Sequence, residues 1–139
     1  MADTQLPFAI TKSDDALGVV YGWASVVEKD IGGTRQAVVD YQDDIIPGHV
    51  LEKAVVEFME SYRTSGEMHT GTANGVVVES LFGSPEKYVS MGVPEAVSKT
   101  MPTGWWIGVK VTPEVMKRVK DGTYKMFSIQ GDADVQEAA

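Results

Sequence analysis

The sequence predicts an α+β domain in which a small antiparallel or mixed β-barrel is flanked by one long and one short helix. Segments rich in β-branched and aromatic residues recur along the chain and indicate strands. Two segments have helical spacing, too few to cover both faces of a parallel sheet. A chain of 139 residues can bury one sizeable core. We therefore expect a single domain over residues 1–139, with flexible ends at 1–16 and 132–139.

The first predicted unit is a β-hairpin. Residues 17–27, with the sequence LGVVYGWASVV, have the composition of a strand. Gly32 and Gly33 together are a turn signal, and a second strand returns over residues 35–41.

The long helix is predicted over residues 49–62. Apolar side chains recur there at steps of three and four residues, which gives the segment one apolar face. These side chains belong to Val50, Leu51, Ala54, Val55, Phe58, Met59 and Tyr62. Pro47 stands near the start, where a missing backbone N–H costs little.

The second half of the chain alternates strands with connections. Residues 76–82 form a nearly continuous apolar run, which predicts a central strand covered on both faces. Residues 83–104, rich in proline and glycine, predict a long surface connection, and 105–111 predict another strand. Thr112, Pro113 and Glu114 are a helix-start signal, and Asp121-Gly122 ends that short helix.

Composition excludes several functions. The net charge of −8 disfavours nonspecific binding to nucleic acid or to an anionic membrane, since both need a basic surface. With no cysteine and two histidines, neither a thiolate site nor a three-histidine zinc site can form. We expect no metal and no cofactor. We also expect no signal peptide and no membrane span, and hence a cytoplasmic location.

Ser128 is the first candidate site residue. It stands in the middle of a predicted strand over residues 125–131, between Phe127 and Ile129. Alternation along a strand puts those two apolar side chains on one face and the hydroxyl on the other. Gly131 follows, where a backbone N–H could stabilise an oxyanion. A solvated surface serine gives the same pattern, so the strand alone does not decide.

His69 and Glu79 could complete a serine nucleophile's catalytic group, because such a serine needs a base and a residue that orients the base. His69 lies in a glycine-bracketed segment, whereas His49 begins the long helix. Glu79 interrupts the apolar run at 76–82, where an unpaired carboxylate would be costly to bury. A loop histidine and a structural ion pair remain the alternatives.

The order and spacing of these segments resemble the XkdF-like group of phage serine proteases. That group is related to the prohead maturation proteases of tailed phages and more distantly to the herpesvirus assemblins. The resemblance runs from about Gly18 to Gly131 and is carried by Gly22-Trp23-Ala24-Ser25, Val39 to Pro47, Glu67-Met68-His69, Val78-Glu79-Ser80, Gly104 to Gly108 and Phe127-Ser128-Ile129.

The resemblance implies an assemblin-like barrel and a serine endopeptidase of prohead maturation. Its substrates would be scaffold and major capsid protein, with the chain itself as a further candidate, inside the immature phage head in the host cytoplasm. Ser128 resembles the nucleophile and His69 the base. Glu79 is our choice for the third member, with Asp40 or Asp43 as the fallback. Gln130 stands where these families lead us to expect glycine, which could alter the oxyanion site.

Two further expectations follow from the same resemblance. Assemblins act as dimers, so a homodimer is plausible by analogy of fold. The alternative to an enzyme is an inactive barrel that binds capsid or scaffold protein through its acidic surface and residues 83–104.

Overall fold

The computed structural model describes residues 10–39, 45–64, 75–129 and 133–137, with the backbone alone at 63–64, 124–129 and 133–137. The strands are β1 (Ile10–Asp14), β2 (Val19–Ile31), β3 (Thr34–Ala37), β4 (Gly75–Gly83), β5 (Thr103–Val111), β6 (Tyr124–Ile129) and β7 (Ala133–Glu137). The helices are α1 (Gly48–Thr64), α2 (Pro85–Ser90), α3 (Glu95–Ser98) and α4 (Pro113–Lys120).

Five strands form one antiparallel sheet. The order is β1-β2-β5-β4, and β3 pairs with β2 beyond the end of β1. The α+β class is therefore confirmed, but over the ranges described the sheet is open and is not the closed barrel that the sequence predicted. Strands β6 and β7 pair with each other as a separate hairpin. The backbone of β6 approaches β1 and β2, and the backbone of β7 approaches β4.

Local signals in the sequence set several boundaries correctly. Gly32 and Gly33 have φ of 62° and 89°, the left-handed conformation that the turn between β2 and β3 requires. The Thr112 side chain accepts a hydrogen bond from the backbone N–H of Val115, and Pro113 opens α4 as predicted. Helix α1 extends the predicted range by one residue at its start and two at its end.

The core lies between one face of the sheet and helices α1 and α4. Three of its strand residues have 0% exposure: Ile107 and Val109 at the centre of β5, and Val20 of β2. The Phe58 ring of α1 contacts the Trp105 ring edge-on, with 5.1 Å between the ring centroids. It also stacks on the Tyr62 ring, with 5.3 Å between the centroids. Trp105 is buried and Trp106 is partly exposed.

The predicted surface connection contains two helices instead of none. Residues 84–102, which we term the arm, hold α2 and α3. Ser84 caps α2 by accepting from the N–H of Lys87, and Pro85 is at its first turn. The Tyr88 hydroxyl donates to the carbonyl of Pro102 at 2.7 Å, and burial raises the pKa of Tyr88 to about 12 although the charge of Arg35 opposes this.

Hydrogen bonds from Arg35 attach the C-terminal end of the arm to the sheet. From β3 its guanidinium donates to the carbonyls of Lys99 and Met101 at 2.9 and 2.7 Å. It also donates to the Thr103 hydroxyl at 2.8 Å and pairs with Glu28 at 2.8 Å. A planar guanidinium can make all these bonds at once because its donors point outward in a fixed fork.

Strand β7 occupies residues that the sequence analysis assigned to a flexible end. Ala133, Asp134 and Val135 face Ile129, Ser128 and Phe127 across the hairpin. Residues 132–139 are few and are mainly small or acidic. A strand of this composition depends on pairing with another strand, and composition does not reveal that partner.

Candidate active site

Of the three residues predicted for catalysis, Ser128 and Glu79 lie in described strands. Ser128 is in β6, which confirms the strand predicted around it. In the β6–β7 hairpin the backbone of Ser128 is opposite that of Asp134. His69 lies outside the described residues, as do Asp40, Asp43 and Gln130. The distances within the predicted catalytic group therefore stay predictions.

Glu79 is exposed, which contradicts the reasoning that selected it. The sequence analysis took β4 as a central strand covered on both faces. In the sheet as described, β4 is at the edge beside β5, and Val78 and Glu79 are both exposed. Glu79 is therefore not a costly buried charge but a carboxylate open to solvent.

A β-bulge at Val78 explains why Glu79 is exposed. Val77 is opposite Val109 across the ladder, and Glu79 is opposite Gly108, so one extra residue stands between them on β4. Without the bulge, Glu79 would be opposite Ile107, on the face that packs against the helices. The bulge instead turns the carboxylate to the other face, where Gly108 leaves room.

Tyr62 of α1 stabilises the backbone just before the bulge. The backbone N–H of Val77 donates to the Tyr62 hydroxyl at 3.0 Å, and this hydrogen bond is buried. A bulge disrupts the ladder locally, so a side chain that satisfies a nearby backbone group helps to fix its position. The helix thus contributes to the register that orients Glu79.

Replacing Tyr62 with phenylalanine should lower the free energy of unfolding by about 1–3 kcal/mol, because it leaves a buried N–H without its partner. Urea unfolding followed by circular dichroism measures this. The control is Tyr21→Phe, which removes a hydroxyl from an exposed hydrogen bond and should cost about 0.5 kcal/mol or less. Equal stability of Tyr62→Phe and the wild type would show that another group satisfies the Val77 N–H.

Tyr21 is a site residue that the sequence analysis missed. Its hydroxyl donates to Oε2 of Glu79 across 3.5 Å, although the two residues are 58 positions apart in sequence. Desolvation raises the pKa of Tyr21, and the charge of Glu79, the charge of Asp14 and the hydrogen bond to Glu79 raise it further. The phenol therefore remains a donor at neutral pH. Its position depends on strand pairing, so no local motif indicated it.

A cleft of about 570 Å³ lies between α4 and the turn before β2. Val111 and Met116 supply its buried apolar surface. Its described lining consists of Asp15, Gly18, Val111, Pro113, Met116, Lys117, Lys120 and Asp121. That lining contains no serine, threonine or histidine, so these residues could bind an apolar group but supply neither a serine nucleophile nor a histidine base.

Within the described ranges, no three histidine, aspartate or glutamate side chains are grouped closely enough to hold a metal ion. None of the helices found in those ranges has the length and apolar character needed to cross a bilayer.

Comparison with known proteins gives a family. Neither the curated proteins nor the solved structures include a match to this chain. A protein family does match, over residues 8–137, and its description is "Putative phage serine protease XkdF". The match spans every strand and helix found in the described part of the chain. The chain therefore belongs to the XkdF family of phage proteins, whose described activity is that of a serine protease.

Proposed function

We propose that this protein is a serine endopeptidase of phage head maturation, with Ser128 as nucleophile, His69 as general base and Glu79 as the residue that orients His69. Membership of a serine protease family is the observation that carries the proposal. We further propose scaffold and major capsid protein as substrates, inside the immature head, with the chain itself as a further candidate substrate.

Backbone geometry supports a role for Ser128 and Glu79 in one site. Strand β6, which carries Ser128, approaches β2, and its hairpin partner β7 approaches β4, which carries Glu79. Glu79 is on the sheet face away from α1, with one of its oxygens held by Tyr21. An exposed carboxylate could accept the ring N–H of a histidine without the cost of a buried charge.

The chemistry follows from these roles. His69 takes the proton from the Ser128 hydroxyl as its oxygen attacks the substrate carbonyl. His69 then gives that proton to the leaving amine, which leaves an acyl group on Ser128. Water, activated by His69 in turn, hydrolyses the ester and restores the hydroxyl. Glu79 stabilises the positive charge that His69 carries between these steps.

A fluorophosphonate tests the nucleophile without knowledge of the substrate, because it phosphonylates activated serine hydroxyls with loss of fluoride. We expect one phosphonyl group per chain. Trypsin cleaves after Lys125, and the remaining peptide 126–139 contains Ser128 as its one hydroxyl-bearing residue. Mass spectrometry should find the added mass on that peptide.

The matched variants are Ser128→Ala and Ser13→Ala. The first should lose the label while keeping its circular dichroism spectrum. The second removes an exposed serine of β1 and should label as the wild type does. A folded wild-type protein that takes up no label, or is labelled only elsewhere, would contradict the enzyme proposal. Cleavage of co-expressed scaffold protein by the wild type but not by Ser128→Ala would extend the result to the substrate.

An inactive docking module is the second candidate, and the arm favours it. Val89, Met91 and Val97 are each about half exposed on α2, its end and α3. Exposed apolar side chains that cluster in this way are typical of protein-binding surfaces. A module of this kind would bind capsid or scaffold protein and would leave Ser128 unlabelled. The labelling experiment therefore separates the two candidates.

A further inference from the structure

Four residues form one row across the sheet, at right angles to the strands. Lys12 of β1 is opposite Tyr21 of β2, Tyr21 is opposite Gly108 of β5, and Gly108 is opposite Glu79 of β4. Residues that are directly opposite each other in a ladder share a face. The row therefore brings a cation, a phenol, a glycine and a carboxylate together on the face opposite α1.

Because Gly108 has no side chain, its two neighbours in the row, Tyr21 and Glu79, can contact each other. A Cβ at this position would be 3.0 Å from Cε1 of Tyr21 and 3.3 Å from Cβ of Glu79. Because glycine has no Cβ, the phenol ring can lean over β5 and reach the strand beyond it. This explains how the Tyr21 hydroxyl comes within 3.5 Å of Glu79 Oε2 although a strand separates the two residues.

The environment of Tyr21 favours the protonated phenol. Desolvation raises the pKa of Tyr21 most, and the charges of Glu79 and Asp14 raise it further. The Lys12 ammonium is 5.2 Å from the centre of the Tyr21 ring, where a cation–π interaction helps to hold the ring. Lys110, next on the same face of β5, donates to the carbonyl of Leu17.

We propose that Tyr21 is a positioning residue, which holds Oε2 of Glu79 and so limits the rotamers from which this carboxylate can orient the catalytic base proposed above. The proposal rests on the catalytic roles proposed above. The Tyr21 hydroxyl donates a hydrogen bond to the Glu79 carboxylate. An exposed glutamate without a partner samples several rotamers, so a donor that fixes one oxygen preorganises the carboxylate. A separation of 3.5 Å is long, and hydrogen bonds in unliganded active sites often tighten only when substrate binds.

The first test measures the ionisation of Tyr21 by NMR, in protein carrying ¹³C at the tyrosine ring carbon next to the hydroxyl. Tyr21→Phe assigns the signal. Glu79→Gln should lower the pKa of Tyr21, because it removes both a negative charge and the charged acceptor. Asp14→Asn, the matched control, removes a charge alone and should lower it less. Equal effects of the two variants would overturn the proposed contact.

The second test is a double-mutant cycle on the rate of fluorophosphonate labelling at Ser128. Tyr21→Phe should slow labelling about 3- to 10-fold, the loss expected for one hydrogen bond. If Tyr21 acts through Glu79, adding Tyr21→Phe to Glu79→Gln should cause no further loss. Losses that multiply would overturn the positioning role, and so would an unchanged rate in Tyr21→Phe.

Two further variants complete the design. Gly108→Ala crowds the Tyr21 ring and should reproduce the slower labelling of Tyr21→Phe. Tyr88→Phe removes a hydroxyl from the arm and should leave the labelling rate of the folded protein unchanged. Absence of label from Ser128 in the wild type would refute the proposed enzyme, and the positioning role with it. The NMR titration would then still show whether Tyr21 and Glu79 touch, so the two failures can be told apart.

Discussion

Replacing His69 with alanine should slow fluorophosphonate labelling of Ser128 by about 10²–10⁴-fold at neutral pH, the range expected for loss of a general base. A serine hydroxyl is a weak nucleophile until a base takes its proton. The rate is measured as adduct formed with time by mass spectrometry. Raising the pH should recover part of the loss, since hydroxide can then remove the proton.

His49→Ala is the matched control for this prediction. His49 is the other of the chain's two histidines and is exposed at the start of α1. Its replacement should leave the labelling rate unchanged. If His69→Ala labels as fast as the wild type, or if His49→Ala shows the large loss instead, the assignment of His69 as the base is wrong.

Replacing Gly104 with alanine should cause a large loss of stability. A Cβ on Gly104 would be 2.3 Å from the carbonyl oxygen of Ser25 and 3.0 Å from Cα of Val26. Both are backbone atoms of β2, so no side-chain rotation can relieve the contact, and β2 and β5 would have to separate. We expect the free energy of unfolding to fall by about 1–3 kcal/mol or more.

Urea unfolding measures this loss, with Gly48→Ala as its control. A Cβ on Gly48 would meet its nearest neighbours at 3.6 and 3.9 Å, which is ordinary contact distance. Alanine is also a better helix former than glycine, so Gly48→Ala should be neutral or stabilise the protein by up to about 1 kcal/mol. Wild-type stability in Gly104→Ala would mean that β2 can move away from β5 at low cost.

Sequence predicted the elements whose boundaries depend on local chemistry. The glycine pair before β3 and the threonine–proline start of α4 act within a few residues, and the apolar period of α1 is a property of the segment alone. Helix α2 begins with Ser84-Pro85-Glu86, the same kind of signal as Thr112-Pro113-Glu114. That signal could have identified α2, but the density of glycine and proline around it favoured a loop.

Features that depend on strand partners were not predictable in the same way. The apolar run 76–82 has the composition of a central strand, but neither its edge position nor the bulge at Val78 follows from composition. Glu79 was selected as a buried carboxylate and is exposed. Tyr21 reaches Glu79 only because Gly108 stands between them in another strand. The contact between Tyr21 and Glu79 was thus not predictable from the sequence.

Hydrogen bonds from Arg35 and Tyr88 hold the arm in place, and they determine how a force on the arm would reach the sheet. Both ends of the arm continue directly into sheet strands, β4 before it and β5 after it. Arg35 also bonds the last residues of the arm to β3, and Tyr88 bonds α2 to the carbonyl of Pro102. A force that a bound partner applied to the arm would therefore be transmitted to β5, the strand that contains Gly108.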